Sequence, residues 1–491
     1  MPLFLAGIAP EITTKSRPTR QRFQRRLVAN LRDAIESGGM SATITDRWSR
    51  LLVDASDAAA GERVASVFGI IAVWRVEGRV AADLPEITRV GEALFKDRVR
   101  GRAYAVRARR AGRHAFRSHD IEVQLGAALN AYGRVDLTNP DVTVHVEVRE
   151  HEAFLYGGRI PGVGGLPLGI EGKAVSLLSG GFDSPVAAWM MLKRGISLDY
   201  VFCNLAGDAY ERSVVSIAKI LADAWSYGDT PAMHVVDFVP VVAEMERVVD
   251  ERYWQVVLKR LMYRAAAAIA RKLHAHAIVT GEAVGQVSSQ TLPNLRAIDD
   301  AVSLPVFRPV LGFDKNEIIE RARRVGTEAL SAHVQEYCAL VRKRPVTNAT
   351  PEAARAQESR MDLHVLDAAV GDARVLDLRA LADADLVAPY LFAAEIPDAA
   401  RVIDCRPPGA FAAWHYEGAT QWDVADLATR FKELDRKGTY VLYCGVGVLS
   451  AHVAEMMQAA GYDAYSFRGG VCALQRYAAR SRYGPEAAVD A

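Results

Sequence analysis

"AVSLLSGGFDSPVAAWM", residues 174–190, places two glycines and small polar residues between an apolar run and an amphipathic one. Ser176, Leu177 and Leu178 close a segment with the character of a buried strand, and Val186, Ala187, Trp189 and Met190 open one with helical spacing, with Pro185 tolerated near a first turn. The chain therefore runs from strand to helix through Ser179, Gly180, Gly181, Phe182, Asp183 and Ser184. Gly180 and Gly181 are expected to adopt positive φ and let the backbone approach a ligand, while the free amides and the helix dipole favour an anion, phosphate above all. An ordinary tight turn carries the same local signature. The lysine of a Walker loop is missing, which argues against a P-loop NTPase.

The chain of 491 residues is too long for one core, and 50% hydrophobic with 24% charged residues describes an ordinary globular protein of three or four domains. No apolar run approaches the roughly 20 residues needed to cross a bilayer, and the opening MPLFLAGIAP has no basic region before it. A cytoplasmic protein with no membrane partner is expected. Five cysteines form no disulfide framework at this length, so those that matter should act through reactivity.

The net charge of +1 conceals two basic clusters. One holds Lys15, Arg17, Arg20, Arg22, Arg25 and Arg26. The other, around "AYAVRARRAGRHAF" at 103–116, holds Arg107, Arg109, Arg110 and Arg113, and its alternation suggests a strand with arginines sharing a face. Such clustering suits a phosphate backbone, and it also suits a solvated surface.

Downstream of the glycine loop, "DYVFCNL" (199–205) and "PAMHVVDF" (231–238) read as strands and "YWQVVLKRLMYRAAAAIARKL" (253–273) as a long helix. A third strand ends at Thr280, Gly281 and Glu282. "RKRPVTNATPEAARAQESR" (342–360) is polar with two prolines and reads as a linker. Near the end, "GTYVLYC" delivers Cys444 between a strand and a helix, where surrounding amides favour the thiolate. Cys338 lies in "HVQEYCALVRKRP", just before the linker. Cys203, Cys405 and Cys472 read as structural, Cys405 beside an active-site wall.

These pieces carry a resemblance. SGGFDS resembles the pyrophosphate loop of the ATP pyrophosphatase (PP-loop) superfamily, which implies a doubly wound parallel sheet with the loop at the carboxyl end of its first strand. By the same resemblance, "LKRLMYR", "VTGEA" and "GQVSSQTLPNL" close around ATP. That implies Leu177, Leu178, Ser179, Gly180, Gly181, Asp183, Ser184, Lys259, Gly281 and Gln290 at the nucleotide. "RPVLGFDKNEI" (308–318) is similar to the segment that ends the catalytic domain. "PEITTKS" and "LTNPDVTVHVEV" resemble a ferredoxin-like piece and a THUMP RNA-binding module. "ARVIDCRPPGAFAAWHYEGAT" resembles the opening of a rhodanese domain through Asp404, Arg406, His415, Gly418 and Ala419. Its loop departs from many rhodaneses in having no charged residue between Cys444 and Ser450. The expected organisation is α/β multidomain, with residues 1–58 ferredoxin-like (α+β), 59–165 THUMP, 172–341 PP-loop, 342–391 a linker and helical connection, and 392–483 rhodanese.

This order resembles the tRNA 4-thiouridine synthetase family. The resemblance implies ATP with Mg2+ as cofactors, tRNA bound through Lys15, Arg107, Arg109, Arg110 and Arg113, and a uridine of tRNA adenylated and then thiolated by a persulfide on Cys444. A cysteine desulfurase would load that persulfide, and Cys338, matched by "EYC", would resolve it through a transient Cys338 to Cys444 disulfide. Transfer to the sulfur carrier of thiamine biosynthesis is also implied. Asp183 keeps two roles, magnesium contact or proton transfer, and no protein metal cluster is assigned. A homodimer is left open, as are two rival readings: a PP-loop amide ligase, and an RNA-binding sulfur relay without adenylation.

Overall fold

The computed structural model describes the chain except residues 47–49, 206–207, 333–344, 383–385, 387–390, 407, 446 and 484–491. The chain divides into two compact units, one of residues 1–171 with 193–195 and 227–229, the other of the remainder.

In the first unit, alternation in Leu3–Ile8 turns Phe4, Ala6 and Ile8 toward the helix Arg17–Glu36, which answers with Phe23, Leu27 and Leu31. Arg17, Arg22 and Arg25 stay exposed on the opposite side of that helix. The sheet is antiparallel, in the order Ile160–Pro161, Ile70–Val76, Leu3–Ile8, Arg50–Ala55, Ala42–Asp46. Ile70–Val76 pairs with Leu3–Ile8 along nearly its whole length. This corrects the expected boundary at residue 58, because the apolar strand that completes the first sheet lies beyond it. A second sheet of five strands carries Ala103–Ala111 parallel to Val142–Arg149 and antiparallel pairing of the latter with Glu152–Tyr156. Helices Leu84–Val99 and Ser118–Leu129 cover one face through Phe95, Val99, Ile121 and Leu125. Asp83 caps the first of them, accepting from the Glu86 amide at 3.2 Å.

The second unit contains two sheets. The larger is ordered Val306–Phe307, Ile278–Val279, Lys173–Leu177, Ser197–Asn204, Ala232–Asp237, Arg374–Asp377, parallel except for the last strand. Its strands read as near-continuous apolar runs because both faces are covered. Val175, Val201, Val236 and Ile278 pack on the helix Trp254–Lys272 through Val257, Leu261 and Ile269. After Lys173–Leu177 the chain winds to one side and later returns to the other, so the order reverses between Lys173–Leu177 and Ile278–Val279. Such a reversal opens a crevice at the carboxyl ends of the two strands.

The expected linker is corrected in this region. Pro351–Glu358 is a helix, and its last residue, Glu358, is buried against the fully buried Arg260 of the long helix, Oε2 lying 2.8 Å from Nε. Arg374–Asp377 then joins the sheet edge beside Ala232–Asp237. Polar composition suggested a tether because the partner that makes Glu358 a core residue is 98 positions away. Glu358→Ala should lower unfolding free energy by up to about 3 kcal/mol in chemical denaturation, since it removes the buried carboxylate from Arg260 and leaves that guanidinium Asp300 as its ionic partner.

The smaller sheet is wholly parallel, ordered Phe392–Ala393, Asp463–Phe467, Thr439–Tyr443, Arg401–Asp404, Thr420–Gln421. Among the described residues, four sheets thus realise the α/β multidomain class. Among the described residues no helix is long and apolar enough to cross a membrane.

Candidate nucleotide pocket, sulfur loop and basic face

A cavity of about 410 Å³ occupies the crevice at the strand reversal. Leu177, Leu178, Ser179, Asp183 and Ser184 line it from the first strand and its loop, Lys259 from the long helix, and Gly281 and Gln290 from the loop after Ile278–Val279. These residues are gathered from more than a hundred positions of sequence. Gly180 and Gly181 are not among the lining residues, and neither is among the glycines with positive φ, which corrects the backbone conformation expected of them. The loop is instead held by Ser184, whose Oγ accepts from the Ser179 amide at 2.9 Å, and by Ser331, whose Oγ donates to the Gly181 carbonyl at 3.4 Å.

Close approach is what requires a glycine at 281. A Cβ there would lie 2.4 Å from the Ser184 amide nitrogen and 2.6 Å from the Asp183 carbonyl carbon, both backbone atoms at the helix start. Gly281→Ala should therefore push the two loops apart and cost roughly 1–3 kcal/mol in denaturant unfolding.

Three features of the pocket were missed in the sequence. Lys315 Nζ lies 3.2 Å from both oxygens of Asp183 and 5.2 Å from the centre of the Phe182 ring. It stands in the first turn of the helix Lys315–Val325, which begins with a reciprocal Asp314 and Glu317 capping box and ends at Gly326 with φ 89°. The D-x-x-E spacing in "FDKNEI" was the signal that could have placed it. Glu282, 3% exposed, accepts at Oε2 from Tyr263 Oη at 2.5 Å, Arg308 Nε at 2.9 Å and Thr280 Oγ1 at 3.1 Å. Lys259 Nζ stands 3.9 Å from its Oε1. Burial pushes the Glu282 carboxyl up, but Lys259, Arg308 and Tyr263 outweigh it and hold the group below the usual carboxylate value. Burial and the neighbouring Glu282 raise Tyr263, which stays protonated and serves as donor. Cys203, read as structural, lies in the cavity wall, where burial raises its thiol.

In the smaller sheet, Cys444 follows the strand Thr439–Tyr443 and is 2% exposed. The Gly447 amide donates to its Sγ at 3.2 Å and the Ser450 hydroxyl at 3.3 Å. Gly447 has φ 92°, a conformation that suits glycine, and caps the helix Val448–Ala459. Ser450 Oγ is 2.8 Å from Ser466 Oγ, which donates in turn to the Gly447 carbonyl at 3.1 Å. The sulfur thus faces donors from a helix start with no cationic side chain among those hydrogen bonds, in keeping with the uncharged loop. Asp404 is fully buried and ion-paired to Arg406 at 2.7 Å. His415 is exposed and stacks on Phe411 at 4.1 Å. Cys338 falls outside the described residues.

The second basic cluster splits by the period of its strand. Arg107 and Arg109 are exposed on the face opposite the core residues Tyr104 and Val106, opposite His145 and Glu147 in register. Glu147, nearly fully buried, is shared by Arg149 at 2.8 Å and Arg50 at 3.4 Å. That face therefore carries more cationic than anionic groups, and His145 is held below its ordinary value by burial and by Arg109, Arg50 and Arg107. Arg110 points the other way, bonding the Gly112 carbonyl at 2.9 Å and His114 Nδ1 at 3.1 Å, and so does not share the arginine face. Arg113 is exposed, and Lys15 covers Phe23 at 4.6 Å from the ring centre.

Comparison with known proteins matches these parts. The family described as "Thiamine biosynthesis protein (ThiI)" matches residues 169–363, the ThiI ferredoxin-like domain 9–73, the THUMP domain 81–157 and the rhodanese-like domain 389–476. A tRNA sulfurtransferase of Desulfurococcus amylolyticus is 38% identical over 98% of this chain and 99% of its own. Another from Pectobacterium carotovorum subsp. carotovorum is 36% identical over 94% and 98%. A solved 4-thiouridine synthetase in complex with RNA and bound ATP is similar at a TM-score of 0.68 and 30% identity, covering 77% of this chain and 99% of that one. Full-length identity of this order, carried on the same succession of domains, shows that the chain belongs to the tRNA sulfurtransferase family.

Proposed function

We propose that this enzyme adenylates O4 of uridine 8 in tRNA with ATP and replaces AMP by sulfur from a Cys444 persulfide, yielding 4-thiouridine. The observation that carries the reading is the cavity at the strand reversal, which brings Ser179, Asp183 and Ser184 of the S-G-G-x-D-S loop, Lys259, Gly281 and Gln290 onto one space. The backbone at Leu177 and Leu178 lines the adenine side, the loop from Ser179 to Ser184 receives phosphates, and Lys259, held near Glu282, adds a cation. Uracil O4 leaves poorly by itself and well as an adenylate, and a persulfide attacks readily at neutral pH. Magnesium takes few protein carboxylates when it rides on a triphosphate; of the two carboxylates on the cavity wall Glu282 is engaged by Tyr263 and Arg308, so Asp183 fits the ion, and there it would neutralise phosphate charge.

After transfer, Cys338 is the proposed resolving thiol, closing a disulfide with Cys444 that a reductant reopens. The sulfur carrier of thiamine biosynthesis is a second acceptor in this reading, and a cysteine desulfurase is the donor. The deciding assay combines purified protein, ATP, magnesium, unmodified tRNA and a persulfide donor, with nucleosides read by mass spectrometry. Appearance of 4-thiouridine with pyrophosphate supports the scheme. Thiolated protein without pyrophosphate would favour a sulfur relay, and amide formation without need of Cys444 a ligase.

The basic face should bind tRNA backbone. Replacing Arg107 and Arg109 by Glu should weaken tRNA binding and lower the slope of log affinity against log salt by roughly 0.7–0.9 for each lost phosphate contact. Arg110→Glu should instead lower thermal stability, because its guanidinium is engaged within the fold. An unchanged slope in filter binding across salt would make the face a solvated surface.

A further inference from the structure

Cys405 takes no part in the scheme above, yet the sheet sets it beside the reactive sulfur. Arg401–Asp404 and Thr439–Tyr443 run parallel with Asp404 in register with Tyr443, and the Cys405 amide donates to the Tyr443 carbonyl at 2.8 Å, carrying the ladder one step further. Cys405 and Cys444 are thus the next residues on neighbouring strands. Ile403, Cys405, Leu442 and Cys444 share one core, whereas Val402, Val441 and Tyr443 belong to the core on the other face. By the two-residue period of a strand, the two cysteines point to the same side. Neighbouring strands lie about 4.8 Å apart, within the Cα separation of roughly 4.4–6.8 Å that a disulfide spans. Both thiols are free and almost fully buried.

We propose that Cys405 discharges an unused Cys444 persulfide by attacking Cys444 Sγ, which closes a Cys405 to Cys444 disulfide and releases hydrosulfide. The inference rests on the persulfide reading of Cys444. In the step, Cys405 gives its proton to water and forms the new sulfur–sulfur bond. The bond between Cys444 Sγ and its outer sulfur breaks, and its electron pair leaves with hydrosulfide. The persulfide is the oxidant, so no other is required, and a dithiol reductant later restores both thiols. No movement between domains is needed for this step.

The surroundings make this a slow reaction. Burial above all, then Cys444, Asp404 and Asp423, push the Cys405 thiol well up, so little thiolate is present at neutral pH. Arg406 is engaged with Asp404. Discharge therefore loses to sulfur transfer while adenylated tRNA is at hand and proceeds when it is not. The result is a latch that discharges an idle persulfide and keeps the Cys444 sulfur, held in a reducible disulfide, from further oxidation.

The test loads full-length protein with a low-molecular-weight persulfide, in the absence of tRNA and ATP, and in a Cys338→Ala background. Samples quenched by alkylation are mapped without reduction while released sulfide is assayed. A Cys405 to Cys444 peptide appearing in step with sulfide is expected, and Cys405→Ala and Cys405→Val should each lengthen the persulfide lifetime by an order of magnitude or more. A loaded Cys444 that decays equally fast in both variants, or that crosslinks elsewhere, overturns the latch alone. A Cys444 that takes up no sulfur overturns the persulfide reading and the latch with it. Mapping the background protein itself needs no Cys405 substitution, so a folding defect in either variant leaves the test intact.

Discussion

Cys444→Ala should abolish 4-thiouridine formation, by about 10³-fold or more, while pyrophosphate release from ATP and tRNA persists. Cys444 Sγ, the proposed sulfur carrier, is held by the Gly447 amide and the Ser450 hydroxyl beside the smaller sheet, and none of these residues lines the cavity of the larger one. The variant should fold, since it removes a buried sulfur without stranding a charge. Radiolabelled sulfur on protein and tRNA, together with pyrophosphate measured in the same reaction, separates the two half-reactions. Retained thiolation in the variant would remove the persulfide from the scheme.

Asp183→Asn should act on the other half. Pyrophosphate release is expected to fall on the order of 10²- to 10³-fold, as when one preorganised group is lost from a reacting centre, here the carboxylate that would hold magnesium at the phosphates. tRNA affinity should hold, because Arg107 and Arg109 stand on a different sheet. Loss of the Lys315 ion pair does not by itself explain such an effect. Lys315 is 44% exposed, and a pair open to solvent to that degree contributes at most about 1 kcal/mol. Lys315→Ala should therefore leave stability nearly unchanged and report whether the ammonium serves phosphate. Normal turnover in Asp183→Asn would take the carboxylate out of the chemistry.

Much of this protein was legible along the chain because its signals are local. A strand running through S-G-G-F-D-S into a helix, the strand ending at Thr280 and the strand delivering Cys444 each rest on spacing within about a dozen residues. Leu177, Leu178, Ser179, Asp183, Ser184, Lys259, Gly281 and Gln290, implied as a set by the family resemblance, line one cavity. Positive φ at Gly180 and Gly181 did not follow, because hydrogen bonding through Ser184 shapes the loop with ordinary backbone angles.

What the tertiary structure alone decided depends on residues distant in sequence. Lys315 meets Asp183 across 132 positions, Arg308 meets Glu282 across 26, and Glu358 becomes a core residue through Arg260 across 98. No periodicity encodes such pairs, since each half alone reads as a surface charge. The sequence by itself determined the order of domains, the turns after Leu178 and Tyr443 between strand and helix, and the basic strand. The fold determined which charges are buried and therefore must be paired, which arginines of that strand face outward, and that Cys405 stands beside Cys444. Sheet register, set by the packing of whole strands against their helices, brings such neighbours together.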